Sequence, residues 1–321
     1  MRNVDAERLP AGYRKGRISV ACPQGIGHEE RNKEVKKIWR SLTKKWYKLT
    51  AAVFIFKKMT ASTPTILALD FDGVICDGLI EYFEVAWRAY CQVWLPEDET
   101  PQNNLASKFY QLRPVIETGW EMPVLVKALV EGIPEENILL EWTKIAQELL
   151  LKDNLKATEI GKTLDKIRDE WIATDLESWL SLHKFYPGVV EKMKATLDSI
   201  TKLYVITTKE GRFAQQLLKQ GGVDLPQEVI FGKEVKRPKY EILRELIQKT
   251  NTIPDSVWFV EDRLKTLQLV QQQPDLNEVK LFLADWGYNT PIEKVTAQND
   301  SQIQVLSLPQ FAKDFSEWLS K

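Results

Sequence analysis

Residues 66–78 read Ile-Leu-Ala-Leu-Asp-Phe-Asp-Gly-Val-Ile-Cys-Asp-Gly, placing two carboxylates, Asp70 and Asp72, one residue apart behind four apolar residues. Period-two alternation past the end of a buried strand sends both the same way. Carboxylates crowded at one strand tip repel each other unless a cation neutralises them, and a hard divalent ion with oxygen ligands suits the pair. One carboxylate can then attack an electrophile while the other moves a proton. The same run also reads as a strand closed by an Asp-Gly turn, with no chemistry attached.

Three further stretches supply what phosphoryl transfer needs. Thr207 and Thr208 follow an apolar run and offer hydroxyls to a phosphate oxygen beside a helix N-terminus; either also suits an N-cap. Residues 232–239 carry Lys233, Lys236, Arg237 and Lys239. One of these pointing inward would hold the phosphate and offset the carboxylates; otherwise the stretch is a solvated basic loop. Glu261 and Asp262 close another apolar run and add the metal ligands that two lone aspartates lack. Acid, hydroxyl, lysine and acid thus stand in chain order at four successive strand ends.

The elements that must position them are short apolar runs at 66–69, 203–206, 229–231, 257–260 and 279–283, separated by helix-length segments. Such spacing predicts an α/β fold, a doubly wound parallel sheet with helical crossovers. Between the first two runs the texture changes. Ile80, Phe83, Trp87, Tyr90 and Trp94 form one helical stripe, Ile138, Trp142, Ile145 and Leu149 a second, and Ile160, Leu164, Ile167 and Trp171 a third. The expected organisation is an α/β core of residues 61–78 and 187–321 with an all-helical cap at 79–186. An insert rooted beside Asp70 hangs over the strand tips, where open α/β sheets place ligands, and so acts as a lid. Its tryptophans are expected to fill its own core.

From residue 66 onward the chain resembles the haloacid dehalogenase-like hydrolase superfamily, and its helical-cap class in particular. The first motif is close to that family's D-x-D-G-x-x-x-D pattern. The resemblance implies Asp70 as nucleophile, Asp72 as acid/base, and Asp77 completing the turn. Thr207 matches the second-motif hydroxyl, with Thr208 beside it. Lys239, with Lys236 as the alternative, matches the third-motif lysine, and Glu261-Asp262 the acidic fourth motif. Many members carry another aspartate four residues after Asp262, where this chain has Thr266. The loop holding Arg113, Gly119, Trp120 and Glu121 looks like the substrate-selecting loop of such caps, and residues 284–288 after the fifth strand also match. The implied chemistry is an Mg²⁺-dependent phosphatase acting on a small phosphorylated metabolite through an aspartyl-phosphate. The metal would be held by Asp70, the Asp72 backbone carbonyl and Asp262, with Glu261 alongside.

Residues 1–60 differ from the rest. They hold 15 Lys/Arg against 5 Asp/Glu, net +10, whereas the remainder holds 29 against 40, net −11. Scattered Gly, Pro and charge up to residue 33 predict disorder. Residues 34–58 then space Val35, Ile38, Leu42, Trp46, Leu49 and Val53 as a basic amphipathic helix, suited to weak contact with a membrane surface or an acidic partner. The stretch also reads as an appendage preceding a start at Met59. Three separated cysteines argue against a disulfide framework and for a reducing, cytoplasmic compartment. No apolar run approaches the roughly 20 residues of a membrane span. The acidic catalytic part, lacking a basic stripe, is a poor nucleic-acid partner. A dehalogenase would leave Asp72 and the Glu261-Asp262 pair unexplained. A phosphomutase would keep every residue named, and a non-catalytic binding or regulatory module of the same fold stays open beside both.

Overall fold

The structure, a computed structural model, describes residues 63–319. The helix expected over 34–58 and Cys22 lie outside that range. At its centre is β1 (Ile66–Leu69), every residue of which is buried. Around it stand β4 (Lys202–Ile206), β5 (Ile230–Phe231), β6 (Val257–Glu261), β7 (Lys280–Ala284) and β8 (Ile303–Leu306). These six form one parallel sheet in the order β5-β4-β1-β6-β7-β8. Alternation explains why β1 is apolar throughout: Leu67 and Leu69 enter one core, Ile66 and Ala68 the other. β6 divides the same way, with Trp258 and Val260 against Val257 and Phe259. Edge strand β8 escaped the sequence pattern because only Ile303 and Leu306 are buried and Gln304 interrupts the apolar run.

After β1 the chain turns at once, with the N–H groups of Val74, Ile75 and Cys76 all directed to the Phe71 carbonyl. It enters a two-strand antiparallel ribbon of β2 (Cys76–Asp77) and β3 (Lys184–Phe185). Between them run helices α1 (Leu79–Trp94), α2 (Leu105–Leu112), α3 (Glu121–Val130), α4 (Glu135–Lys152), α5 (Ala157–Thr174) and α6 (Leu176–Ser181). Phe83, Trp87, Trp142, Ile145 and Leu164 share a core separate from those flanking the sheet. Trp179 is the exception, since it joins the core beneath β1. Helices α7 (Val189–Leu197), α8 (Gly211–Gln220), α9 (Lys239–Thr250), α10 (Leu264–Gln271) and α11 (Pro291–Gln298) belong to the sheet region. Cys76 and Cys91 are free and buried. No described helix is long and apolar enough to cross a membrane.

This topology brings three strand ends together. Leu69 is level with Val205 on one side and Val260 on the other. The next residues, Asp70, Thr207 and Glu261-Asp262, therefore emerge side by side at the carboxyl edge, where the strand order reverses and ligands bind.

Candidate active site

Asp70 leaves β1 with its N–H bound to Val260 O at 2.9 Å, and its carboxylate is buried. Lys239, the first residue of α9, reaches in from across the sheet. Its Nζ lies 2.7 Å from Asp70 Oδ1 and 2.7 Å from Glu261 Oε2. Glu261 in turn accepts the backbone N–H groups of Asp262 and Arg263 on its other oxygen. Lys236, the alternative, sits in a left-handed turn with φ 52° and does not line the cleft.

Asp262 is wedged between two glycines. Gly73 has φ +86°, and a Cβ there would stand 2.2 Å from Asp262 Oδ2; a Cβ on Gly287 would stand 2.3 Å from Asp262 Cβ. The Tyr288 N–H bonds Asp262 Oδ2 at 2.7 Å, and Asn289 ties the Asp262 carbonyl to that of Ala284.

Oxygen atoms of Asp70, Glu261 and Asp262 lie within 4.8 Å of one another, all buried. Burial, then the Glu261 charge, pushes the Asp70 carboxyl up to about 7 against the pull of Lys239. Burial and the Asp70 charge push Asp262 up to about 6. Asp70 Oδ1 is buried and meets the Lys239 ammonium as an ion pair. Three crowded, buried carboxylates facing one ammonium fit a hard divalent cation.

Asp72 lines the same cleft as Asp70. Its carboxylate is not part of this acidic group; it pairs with Lys209, whose Nζ lies 3.1 Å from Oδ1 and 3.4 Å from Oδ2. The strand stops at Leu69, so alternation no longer governs the side chain two residues beyond Asp70. Burial works to raise the Asp72 carboxyl, but the Lys209 ammonium and a hydrogen bond from Tyr82 outweigh it and hold it below the usual range.

Thr207 is buried, and its Oγ1 accepts the Lys209 N–H at 3.0 Å. Thr208 lines the cleft. Neither caps α8, which starts later, at Gly211, where Glu234 accepts the first N–H at 3.0 Å.

The cleft over these groups holds about 470 Å³, and residues of the helical insert wall it. Arg113 and Gly119 line it, whereas Trp120 and Glu121 do not. Trp120 packs into the insert core. Glu121 braces the entrance of α3, accepting the N–H groups of Glu117 and Thr118 at 2.6 Å each and that of the Trp142 indole at 3.2 Å. Lys209, Tyr82 and Arg263 line the cleft without having been singled out from the sequence, as does Tyr288 from the 284–288 run. Lys209 directly follows the two threonines, and that adjacency was its available signal. Exposed ion pairs join insert to core along the rim: Lys265–Glu117 at 2.8 Å, Lys233–Asp165 at 3.0 Å and Arg212–Asp169 at 3.1 Å.

A family description, haloacid dehalogenase-like hydrolase, matches residues 130–272, a span holding Thr207, Lys239 and Glu261-Asp262. A protein described as a predicted phosphoglycolate phosphatase from Haemophilus somnus is similar in structure, with TM-score 0.50 and 16% identity, over 79% of this chain and 96% of that one. A protein provisionally assigned as a phosphoglycolate phosphatase from Lactobacillus delbrueckii subsp. bulgaricus gives TM-score 0.50 and 15% identity, over 76% of this chain and 95% of that one. At such identity these likenesses show the fold. No curated protein matches the chain.

Proposed function

We propose that the chain is a haloacid dehalogenase-like hydrolase and, from that premise, an Mg²⁺-dependent hydrolase of small phosphomonoesters. The observation that carries this is Lys239 bridging Asp70 and Glu261 at the tip of β1, with Asp262 completing the acidic group. In the proposed reaction an Asp70 oxygen forms a bond to phosphorus as the ester oxygen leaves in line, giving an aspartyl-phosphate. Asp72 protonates the departing alcohol, then takes a proton from the water that cleaves the acyl phosphate and restores Asp70. Lys209 and Tyr82 hold Asp72 for this role. Lys239 and the Thr207-Thr208 turn receive the equatorial oxygens as charge develops on them. Asp70, Asp262 and the Asp72 carbonyl, with Glu261 beside them, would hold Mg²⁺, which supplies the positive charge that lets one anion approach another.

Residues 79–186 serve in this reading as the cap that admits substrate, and residues 1–60 as an appendage without catalytic role. A chain starting at Met59 is therefore expected to keep the kinetics of the full protein. The direct test is turnover of a phosphometabolite panel with Mg²⁺ and with EDTA. Hydrolysis that stops on chelation supports the proposal; full activity in EDTA refutes the metal assignment.

A further inference from the structure

Tyr288 follows β7 in the chain, yet its buried ring packs in the core of the insert. Its hydroxyl accepts the Gly78 N–H at 2.9 Å and donates to Asp77 Oδ1 at 2.9 Å. The same Asp77 oxygen accepts the Leu79 N–H at 3.0 Å. The point where the chain enters the insert is thus gathered around one phenol oxygen. The Tyr82 ring meets that of Tyr288 edge-on, with 6.1 Å between centroids, and the Arg113 guanidinium carbon lies 4.6 Å from the Tyr288 centroid. Packing alone would be served as well by phenylalanine; the hydroxyl is explained by its two hydrogen bonds.

The backbone of the same residue holds the acidic group. The Tyr288 N–H is the 2.7 Å donor to Asp262 Oδ2, and the Tyr288 carbonyl accepts Arg263 Nη1 at 3.0 Å. Asp262 Oδ2 and the Tyr288 ring both press on Gly73, where a Cβ would stand 2.2 Å from that oxygen and 3.1 Å from Tyr288 Cδ2. The Asp262 carboxylate therefore faces where the Tyr288 peptide directs it. Between that peptide and the phenol oxygen lie only the torsions χ1 and χ2, and close packing holds both in one rotamer. A stiff side chain bonded at each end carries a displacement either way. What moves Asp77 and Gly78 moves the donor to Asp262, and what draws on Asp262 is felt at the root of the insert.

We propose, resting on the phosphatase reading and its Mg²⁺ site, that Tyr288 is a positioning residue through which the root of the insert sets Asp262. Cation binding at the acidic group and the seating of the insert root are then coupled, and by linkage the coupling is reciprocal. Mg²⁺ tightens the residues around Asp77, and cutting the phenol contact weakens Mg²⁺.

The test uses the full chain without substrate and reads Mg²⁺ affinity by calorimetry and amide hydrogen exchange with and without Mg²⁺. In the wild type, Mg²⁺ should slow exchange of the Gly78 and Leu79 amides. Y288F removes only the hydroxyl; it should weaken Mg²⁺ binding about 5-fold or more and abolish that protection. D77A cuts the same contact from the insert side and should match it. D77N, whose amide oxygen still accepts the phenol O–H, should stay near wild type. The Y288F/D77A double variant should bind no more weakly than either single one. A merely structural hydroxyl would lower the melting temperature of Y288F and leave Mg²⁺ affinity unchanged. That result overturns the inference and leaves the phosphatase reading intact. So does Mg²⁺ binding to the wild type with no change at Gly78 and Leu79, an outcome that decides the matter even if the variants fail to fold. A wild-type chain that binds no Mg²⁺ at millimolar concentration overturns the inference together with the metal assignment.

Discussion

Two sets of ion pairs meet at the cleft, and their surroundings set them apart. At the floor, Lys239 holds Asp70 and Glu261 with all three side chains nearly sealed from solvent. At the rim, the partners in Lys265–Glu117, Lys233–Asp165 and Arg212–Asp169 remain about half exposed. Buried pairs carry a large desolvation cost, and removing one member strands the other. Exposed pairs are screened by salt and contribute about 0–1 kcal/mol each. The acids at the floor are therefore held by sealed pairs and the rim by screened ones, a contrast that suits the lid role proposed for the insert.

The sharpest break in that contrast is Asp70→Asn. The amide keeps the shape of the floor and removes the proposed nucleophile, so turnover should vanish while the thermal melt stays cooperative; near-normal turnover in this variant would sink the mechanism. Next comes Glu81, the first-turn carboxylate of α1, fully buried between Arg168 at 2.7 Å and the Trp179 indole at 3.1 Å. Glu81→Ala leaves the largely buried Arg168 with only the distant Asp165 carboxylate, at 4.0 Å, and a loss of about 3 kcal/mol is expected from urea unfolding. Burial alone would raise the Glu81 carboxyl; Arg168 and then Lys209 reverse this and bring it down to about 2. Because that folded value lies below the unfolded one, the contribution is present above about pH 4.5 and fades as pH falls toward 2. Stability that is flat across this window would contradict the pairing.

A smaller effect separates the two aspartates. Asp72→Asn should slow an alkyl phosphate about 10²-fold more than p-nitrophenyl phosphate, whose phenolate needs little protonation. Equal losses on both substrates would remove the acid/base role. The smallest effect is expected at the rim. Lys265→Ala should change stability by under about 1 kcal/mol, and raising ionic strength should erase even that difference. A large, salt-resistant change would mean that the insert is clamped rather than latched.

How far the sequence disclosed this arrangement follows from what each residue is buried among. β1 and β6 are covered on both faces, so they appear as unbroken apolar runs, and the groups at their tips could be located by counting. Lys239 was readable because its position opens an amphipathic helix, α9, whose register places it at the sheet edge. Asp72 lines the cleft with Asp70, and its partner Lys209 depends on a loop conformation that no periodicity encodes. Glu121 was misplaced for a local reason. Thr118 and Glu121 carry the Thr-x-x-Glu spacing of a helix start, and the carboxylate reaches back to the Thr118 N–H rather than into the cleft. β8 was missed because an edge strand with one buried residue at each end leaves too faint a pattern.

The β2–β3 ribbon has a consequence for how such a chain can diversify. The chain leaves the sheet region at Asp77 and returns at Lys184, and these two residues are paired directly across the ribbon. Everything between departs and comes back through one gap, two residues wide on each side. Lengthening a helix there, or exchanging the segment for another that keeps Tyr82 and the Trp179 contact beneath β1, leaves the register of all six parallel strands untouched. The acids at the strand tips can therefore stay fixed while the surface that faces the substrate is rewritten.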